Sequence, residues 1–299
     1  MTTFESIAKP KPKLWLAAIK PPMYTVAIIP ITVGSTVAYA QTQSIDLNIL
    51  GTFLLSAIAI IAWLNISNDV FDSDTGIDIN KAESVVNLTG NRNLMFWLGN
   101  VFLVLGILGI ATISWWQQDI SVVAIVLSSC FLGYTYQGPP FRLGYHGLGE
   151  IICTICFGPL AVSAAYYSQT QSWSIANLTA SLIIGISTSL ILFCSHFHQV
   201  KDDLAAGKLS PIVRMGTKMG AKVLQWSTAS IYVLTAFGVI AHLFPVATLL
   251  VFFSLPLAIK LTNFVSEYHD KPDRVRTCKY LAVRLQFVSG VLLALGFYL

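Results

Sequence analysis

The chain has 299 residues, 55% of them hydrophobic and only 11% charged, with a mean hydropathy of +0.69 and a formal charge of +4. Such a composition excludes an ordinary soluble domain and places the chain in a lipid bilayer. The modest positive balance is accounted for below by membrane topology, and no nucleic-acid partner is expected.

The N-terminal segment carries lysines but no short apolar core followed by a small-residue cleavage site, so no cleavable signal is expected. Nine apolar stretches follow, at about 14–40, 47–67, 93–114, 120–137, 147–168, 175–198, 221–241, 244–264 and 280–298. Each approaches the roughly 20 residues that a helix needs to cross the hydrocarbon layer. The first is the least regular, because Pro21, Pro22 and Pro30 should kink it or make its start interfacial. With the N-terminus cytoplasmic, the inner segments are 1–20, 68–92, 138–146, 199–222 and 260–284, and they contain all eighteen Lys and Arg. That asymmetry is the positive-inside pattern. The expected fold is therefore all-α, a polytopic membrane protein with nine transmembrane helices and a cytoplasmic N-terminus. The five cysteines are scattered, and Cys153-Thr-Ile-Cys156 lies inside an apolar stretch, which reads as packing.

Polar clusters close the second and sixth stretches. The first runs from Asn65 through Asn68, Asp69, Asp72 and Asp74 to Asp78, and the second from His196 through His198, Gln199 and Asp202 to Asp203. At helical spacing Asn65, Asn68, Asp69 and Asp72 fall on one stripe. Acids at a membrane-embedded helix end must be paired, hydrated or bound to a cation, which makes them a functional site by default. A shift of 131 positions aligns Asn65 with His196, Asn68 with Gln199, Asp72 with Asp203 and Gly76 with Gly207. The nine helices then divide into two four-helix pseudo-repeats plus one, and such symmetry puts ligand sites between the halves. A third cytoplasmic segment, Tyr134 to Glu150, is rich in turn formers and should help close the same mouth. The fourth, Lys260 to Arg284, reads as a basic face toward anionic lipid.

Carboxylates and amides without cysteine suit a hard cation such as Mg²⁺, which takes oxygen ligands and bridges carboxylates to substrate phosphates. Lys81, Lys201, Lys208 and Arg214 could neutralise phosphate oxygens, Lys81 and Lys208 above all because they closely follow the acidic motifs. A metal-bound diphosphate beside an oily cavity points to an isoprenoid diphosphate, ionised to an allylic cation. Trp63, Phe71, Tyr134, Tyr136, Phe193 and Phe197 lie near the right helix ends to face such a cation.

Asn68-Asp69-x-x-Asp72 with Asp74 and Asp78 beyond it, the nine spans, and Tyr-Thr-Tyr-Gln-Gly-Pro-Pro-Phe-Arg-Leu followed by Gly-Leu-Gly-Glu resemble the UbiA superfamily of intramembrane aromatic prenyltransferases. The likeness covers nearly the whole chain, read as one domain over 1–299. Asn-Asp-Val-Phe-Asp-Ser-Asp-Thr-Gly and His-Phe-His-Gln-Val-Lys-Asp-Asp-Leu-Ala-Ala-Gly-Lys are similar to the MenA branch of cyanobacteria and plants, which acts in phylloquinone synthesis.

The resemblance implies transfer of a phytyl group from its diphosphate to 1,4-dihydroxy-2-naphthoate, or to its oxidised form 2-carboxy-1,4-naphthoquinone, with loss of CO₂. It also implies a cyanobacterial inner or thylakoid membrane. By the same resemblance Asn68, Asp69, Asp72 and Asp78 hold Mg²⁺ and the diphosphate from the second helix, and Asp203 does so from the sixth. Asn65, Lys81 and Lys208 complete the diphosphate site. The superfamily commonly has Asp-x-x-x-Asp on the sixth helix, and here its first position is Gln199. His196, His198, Asp202 and Arg142 are candidates for orienting the naphthoate or taking its proton, His196 and Arg142 foremost. Nearby alternatives are a MenA enzyme using a longer polyprenyl chain, chlorophyll synthase or a homogentisate prenyltransferase. A secondary transporter would place its acids near the bilayer midplane, whereas these cluster at the cytoplasmic helix ends.

Overall fold

The computed structural model describes residues 15, 18–77, 81 and 83–299, the Pro22 side chain excepted. Its helices are α1 (Pro21–Thr42), α2 (Leu47–Thr75), α3 (Val85–Thr89), α4 (Arg92–Gln117), α5 (Ser121–Gln137), α6 (Gly149–Ile155), α7 (Ala161–Thr170), α8 (Ile175–Ala205), α9 (Pro211–Met215), α10 (Thr217–Ile240), α11 (Leu255–Tyr268), α12 (Pro272–Val275) and α13 (Cys278–Tyr298). A π-helical turn, Cys156–Leu160, joins α6 to α7, and 3₁₀ segments Leu143–His146 and Val246–Ser254 precede α6 and α11. No strand occurs among the described residues.

Among the described residues all nine apolar stretches are mainly helical. Among the described residues eight helical units are long and apolar enough to cross a membrane, while α5, with 17 residues, falls short of that length. Pro30 lies within α1 without interrupting it, and Pro21 occupies the first turn, where its missing N–H costs nothing. Pro159 instead falls in the π-turn, where one backbone hydrogen bond is forgone and the helix widens.

α2 starts at Asp46, whose carboxylate accepts the Asn48 and Ile49 N–H groups, and stops at Gly76, which takes the left-handed conformation with φ 75°. The two longest helices are α2 and α8, with 29 and 31 residues. At 1.5 Å per residue they extend about 43–46 Å, well beyond a hydrocarbon core of roughly 30 Å. Their polar clusters occupy this overhang, which is why acids are tolerated there.

The packed interior forms two large clusters, one built on α8, α10 and α13 and the other on α2, α4 and α5, with α1 and α7 contributing to both, and a small third of Val70, Phe71 and Met95. α2 packs mainly on α4, and α8 on α6, α10 and α13, so α2 and α8 share no packed seam. The π-turn and α8 meet at two glycines: a Cβ on Gly158 would lie 2.5 Å from the Ser181 carbonyl, and one on Gly185 would collide with the Thr154 carbonyl. Glycine is required here because without an aqueous driving force the helices associate by close backbone approach.

Candidate active site

A cavity lies between the two clusters, walled by α1, α2, α5, α6, α7 and Leu192 of α8. The cavity proper holds about 200 Å³, and the space inside it counted out to the open solvent is about 1190 Å³. Its polar end is formed by Asn65, Asn68, Tyr136 and Gly149, and its walls are otherwise almost wholly apolar. Of the six aromatics that sequence placed near this mouth, only Tyr136 lines the cavity. Phe71 packs edge-on against Tyr134, Phe193 against Phe197, and Trp63 is buried in the core.

The stripe expected on α2 divides in two. Asn65 and Asn68 face the cavity, and the Asn65 side-chain amino group is buried with no hydrogen-bond partner among the described residues. Asp72 accepts a 2.6 Å hydrogen bond from Gln137 Nε2, at the end of α5. Asp69 is fully buried: its Oδ1 accepts from Lys20 Nζ and Lys81 Nζ, both at 2.9 Å, and its Oδ2 accepts the Val85 N–H at 3.0 Å. Spacing put Asp69 on one stripe with Asp72, and the structure shows its carboxylate meeting two lysines. Asp74 is bound through both oxygens to Arg92, tying the end of α2 to the start of α4. Asp78 lies outside the described residues.

At the end of α8, Asp203 is buried with only 1% exposure. Lys208 Nζ stands 3.6 Å from its Oδ1, too far for a hydrogen bond, and neither carboxylate oxygen finds a hydrogen-bond partner among the described residues. His196 is also buried, with Nδ1 2.8 Å from Glu150 Oε1, and both its Nε2 and the second Glu150 oxygen lack partners among the described residues. Gln199, one turn before Asp203, is half-buried, while Lys201 and Asp202 on the other face are exposed. His198 faces away, within electrostatic reach of Arg276 and Lys279.

Segment 134–150 joins the two clusters. The Tyr136 hydroxyl lies within electrostatic reach of Glu150 on α6, Asp72 on α2 and Asp203 on α8. Tyr145 spans the gap as well: its hydroxyl is 2.7 Å from Thr75 Oγ1, its ring lies 6.0 Å below Lys208 Nζ, and its carbonyl accepts the Leu209 N–H. Arg142 is half-buried in a left-handed turn with Nε unpartnered among the described residues. Arg214, read from sequence as a phosphate ligand, is exposed and donates to the Leu209 and His146 carbonyls, a structural tie between loops.

Among the described residues no three acids, histidines or cysteines converge closely enough to hold a metal by themselves. The donors suit an ion that arrives with its substrate. Mg²⁺ keeps several waters and needs one or two carboxylates beside phosphate oxygens, and two buried, unsatisfied Asp203 oxygens are costly until a cation or donor meets them.

Long apolar helices around an oily cavity, with buried carboxylates at the ends of α2 and α8, describe an integral membrane protein. Residues 27–288 match the UbiA prenyltransferase family, and the chain belongs to that family. It is 63% identical over 95% of its length to the 2-carboxy-1,4-naphthoquinone phytyltransferase of Synechocystis, covering 93% of that protein. Identity to the chloroplastic enzyme of the same name from Arabidopsis thaliana is 42%, over 96% of this chain and 77% of that one. Among solved structures, a UbiA homolog from Archaeoglobus fulgidus bound to GPP and Mg²⁺ superposes with a TM-score of 0.65 at 18% identity, covering 94% of this chain and 99% of that one.

Four residues of the site escaped the sequence reading as contributors: Lys20, Gln137, Tyr145 and Glu150. Lys20 had a signal, a lone cation just before Pro21-Pro22 at the membrane face. Gln137 and Tyr145 sit in the turn-rich segment assigned to the mouth, but only the tertiary fold shows that they reach Asp72 and Thr75. Glu150 opens α6, and its pairing with His196 on α8 spans 46 residues.

Proposed function

We propose that this protein transfers a phytyl group from its diphosphate to 1,4-dihydroxy-2-naphthoate, or to its oxidised form 2-carboxy-1,4-naphthoquinone, with release of CO₂ and dependence on Mg²⁺. The observation that carries this reading is the 63% identity, over 95% of the chain, to a protein named for that transfer. The chain acts as one domain over 1–299, with nine spans and a cytoplasmic N-terminus, in a cyanobacterial inner or thylakoid membrane. Confinement of all eighteen Lys and Arg to one side supports that orientation.

Asp72 and Asp203, with Asn68 and Asp78, would hold Mg²⁺, which when bound supplies charge neutralisation for the departing diphosphate. Lys81, positioned by Asp69, and Lys208, beside Asp203, bind phosphate oxygens, and Asn65 donates its buried amide. The bond between the phytyl carbon and the diphosphate oxygen breaks with its electron pair going to oxygen. A π pair of the acceptor ring forms the new bond from the carboxylate-bearing carbon to the phytyl carbon, and the bond to the carboxylate then breaks, its pair restoring the ring as CO₂ leaves. Charge and electrons balance without an external oxidant or reductant. Tyr136 presents its ring where the cation forms, and the apolar walls keep water from it.

Glu150 fixes the His196 ring through Nδ1, leaving Nε2 to hydrogen-bond an oxygen of the acceptor ring, while Arg142 holds the acceptor's carboxylate. His196→Ala should lower kcat/KM for the acceptor by about tenfold or more, the worth of one or two hydrogen bonds, while leaving KM for phytyl diphosphate unchanged. Glu150→Gln should shift the same parameter in the same direction. An effect on the prenyl substrate alone would remove both residues from the acceptor site. The activity itself is tested with purified protein, Mg²⁺, phytyl diphosphate and each aromatic acceptor in turn. Prenylated naphthoquinol or naphthoquinone is the expected product, and turnover only with another aromatic acceptor would overturn the reading.

A further inference from the structure

Resting on that reading, we propose that the cavity measures the prenyl chain and that Phe53 is its stop. Asn68, Asn65, Ile61, Ala57 and Phe53 all line the cavity, each three or four residues from the next, so they form one continuous stripe down α2. From Asn68 at the polar mouth to Phe53 the stripe covers about 22 Å at 1.5 Å per residue. That is close to the extended reach of a C20 phytyl chain and about half that of a C40 octaprenyl chain.

No residue of α2 before Phe53 lines the cavity. Its ring is 3% exposed and belongs to the same packed cluster as Val122, Ala164 and Ala165, each at 0%. The small side chain of Ala57, one turn nearer the mouth, keeps the channel open up to that plug. The diphosphate is fixed at the mouth, so a longer chain must displace Phe53 or leave the cavity, whereas a shorter one leaves apolar wall unfilled. Both are penalised in the transition state, because remote binding energy helps to position the reacting carbon.

The test is the ratio of kcat/KM values for two diphosphates on one preparation, which does not depend on how much of the variant is folded. Phe53→Ala should raise the octaprenyl-to-phytyl ratio by about tenfold or more, and Ala57→Phe should raise the farnesyl-to-phytyl ratio by a similar factor. The second variant fills space rather than emptying it, so the two do not share a route to misfolding. Ratios within twofold of wild type in both would overturn the ruler, with tails then leaving sideways into lipid. Failure of the wild-type protein to use phytyl diphosphate at all would instead overturn the activity, so the two failures are distinguishable.

Discussion

Asp203→Asn is expected to lower kcat by about 10²- to 10³-fold, the usual loss when one group that stabilises developing charge is removed. The substitution keeps the size of the side chain and replaces a carboxylate whose two oxygens are buried without a hydrogen-bond partner among the described residues. An amide meets Lys208, 3.6 Å away, without charge and offers one oxygen in place of two. The Mg²⁺ concentration for half-maximal rate should rise in parallel, and the same is expected for Asp72→Asn. Stability should change little or increase, since a costly buried charge is removed. Mg²⁺ titrations of the initial rate together with thermal melts measure both quantities, and a wild-type rate in Asp203→Asn would take α8 out of the diphosphate site.

Asp69→Asn should fail for a different reason. In the folded protein Asp69 anchors Lys20, Lys81 and the Val85 N–H, so it joins the start of α1, the segment after α2 and the start of α3. Without its charge, two ammonium groups face each other across an amide. A fully buried pair broken in this way costs about 3–5 kcal/mol, and because the lysines are 22% and 28% exposed the expected loss is nearer 2 kcal/mol. Turnover should fall about 100-fold with Lys81 no longer aimed at the phosphate, yet the Mg²⁺ requirement should stay as in wild type. A raised requirement equal to that of Asp72→Asn would instead make Asp69 a metal ligand.

Most of the architecture was legible in the chain because a bilayer imposes one rule on every span: satisfy the backbone within the helix and cover it with apolar side chains. The nine apolar stretches and the helical overhang of α2 and α8 follow directly from that rule. Helical spacing was sufficient to put Asn65, Asn68, Asp69 and Asp72 near one another, but not to say which way each turns. Asp69 sits about 100° from Asn68 around the helix, enough to carry it from the cavity to the lysines. The Gln137 to Asp72, Tyr145 to Thr75 and Glu150 to His196 contacts join residues 46 to 70 positions apart. No local periodicity encodes such pairings. Proximity to a helix end does not fix a face, and any one of the six aromatics is more often ordinary packing: Phe71, Phe193 and Phe197 pack into the core, and Tyr136 turns inward.

The central claim is that α2 and α8, which share no packed seam, act jointly on one diphosphate through Asp72 and Asp203. A structure of the protein with Mg²⁺ and a non-cleavable phytyl diphosphate analogue tests it most directly. The account predicts the diphosphate at the polar mouth beside Asn68 and Tyr136, with Mg²⁺ held by carboxylates of both Asp72 and Asp203. A diphosphate bound by only one of the two helices, with the other aspartate turned to protein partners, would contradict it.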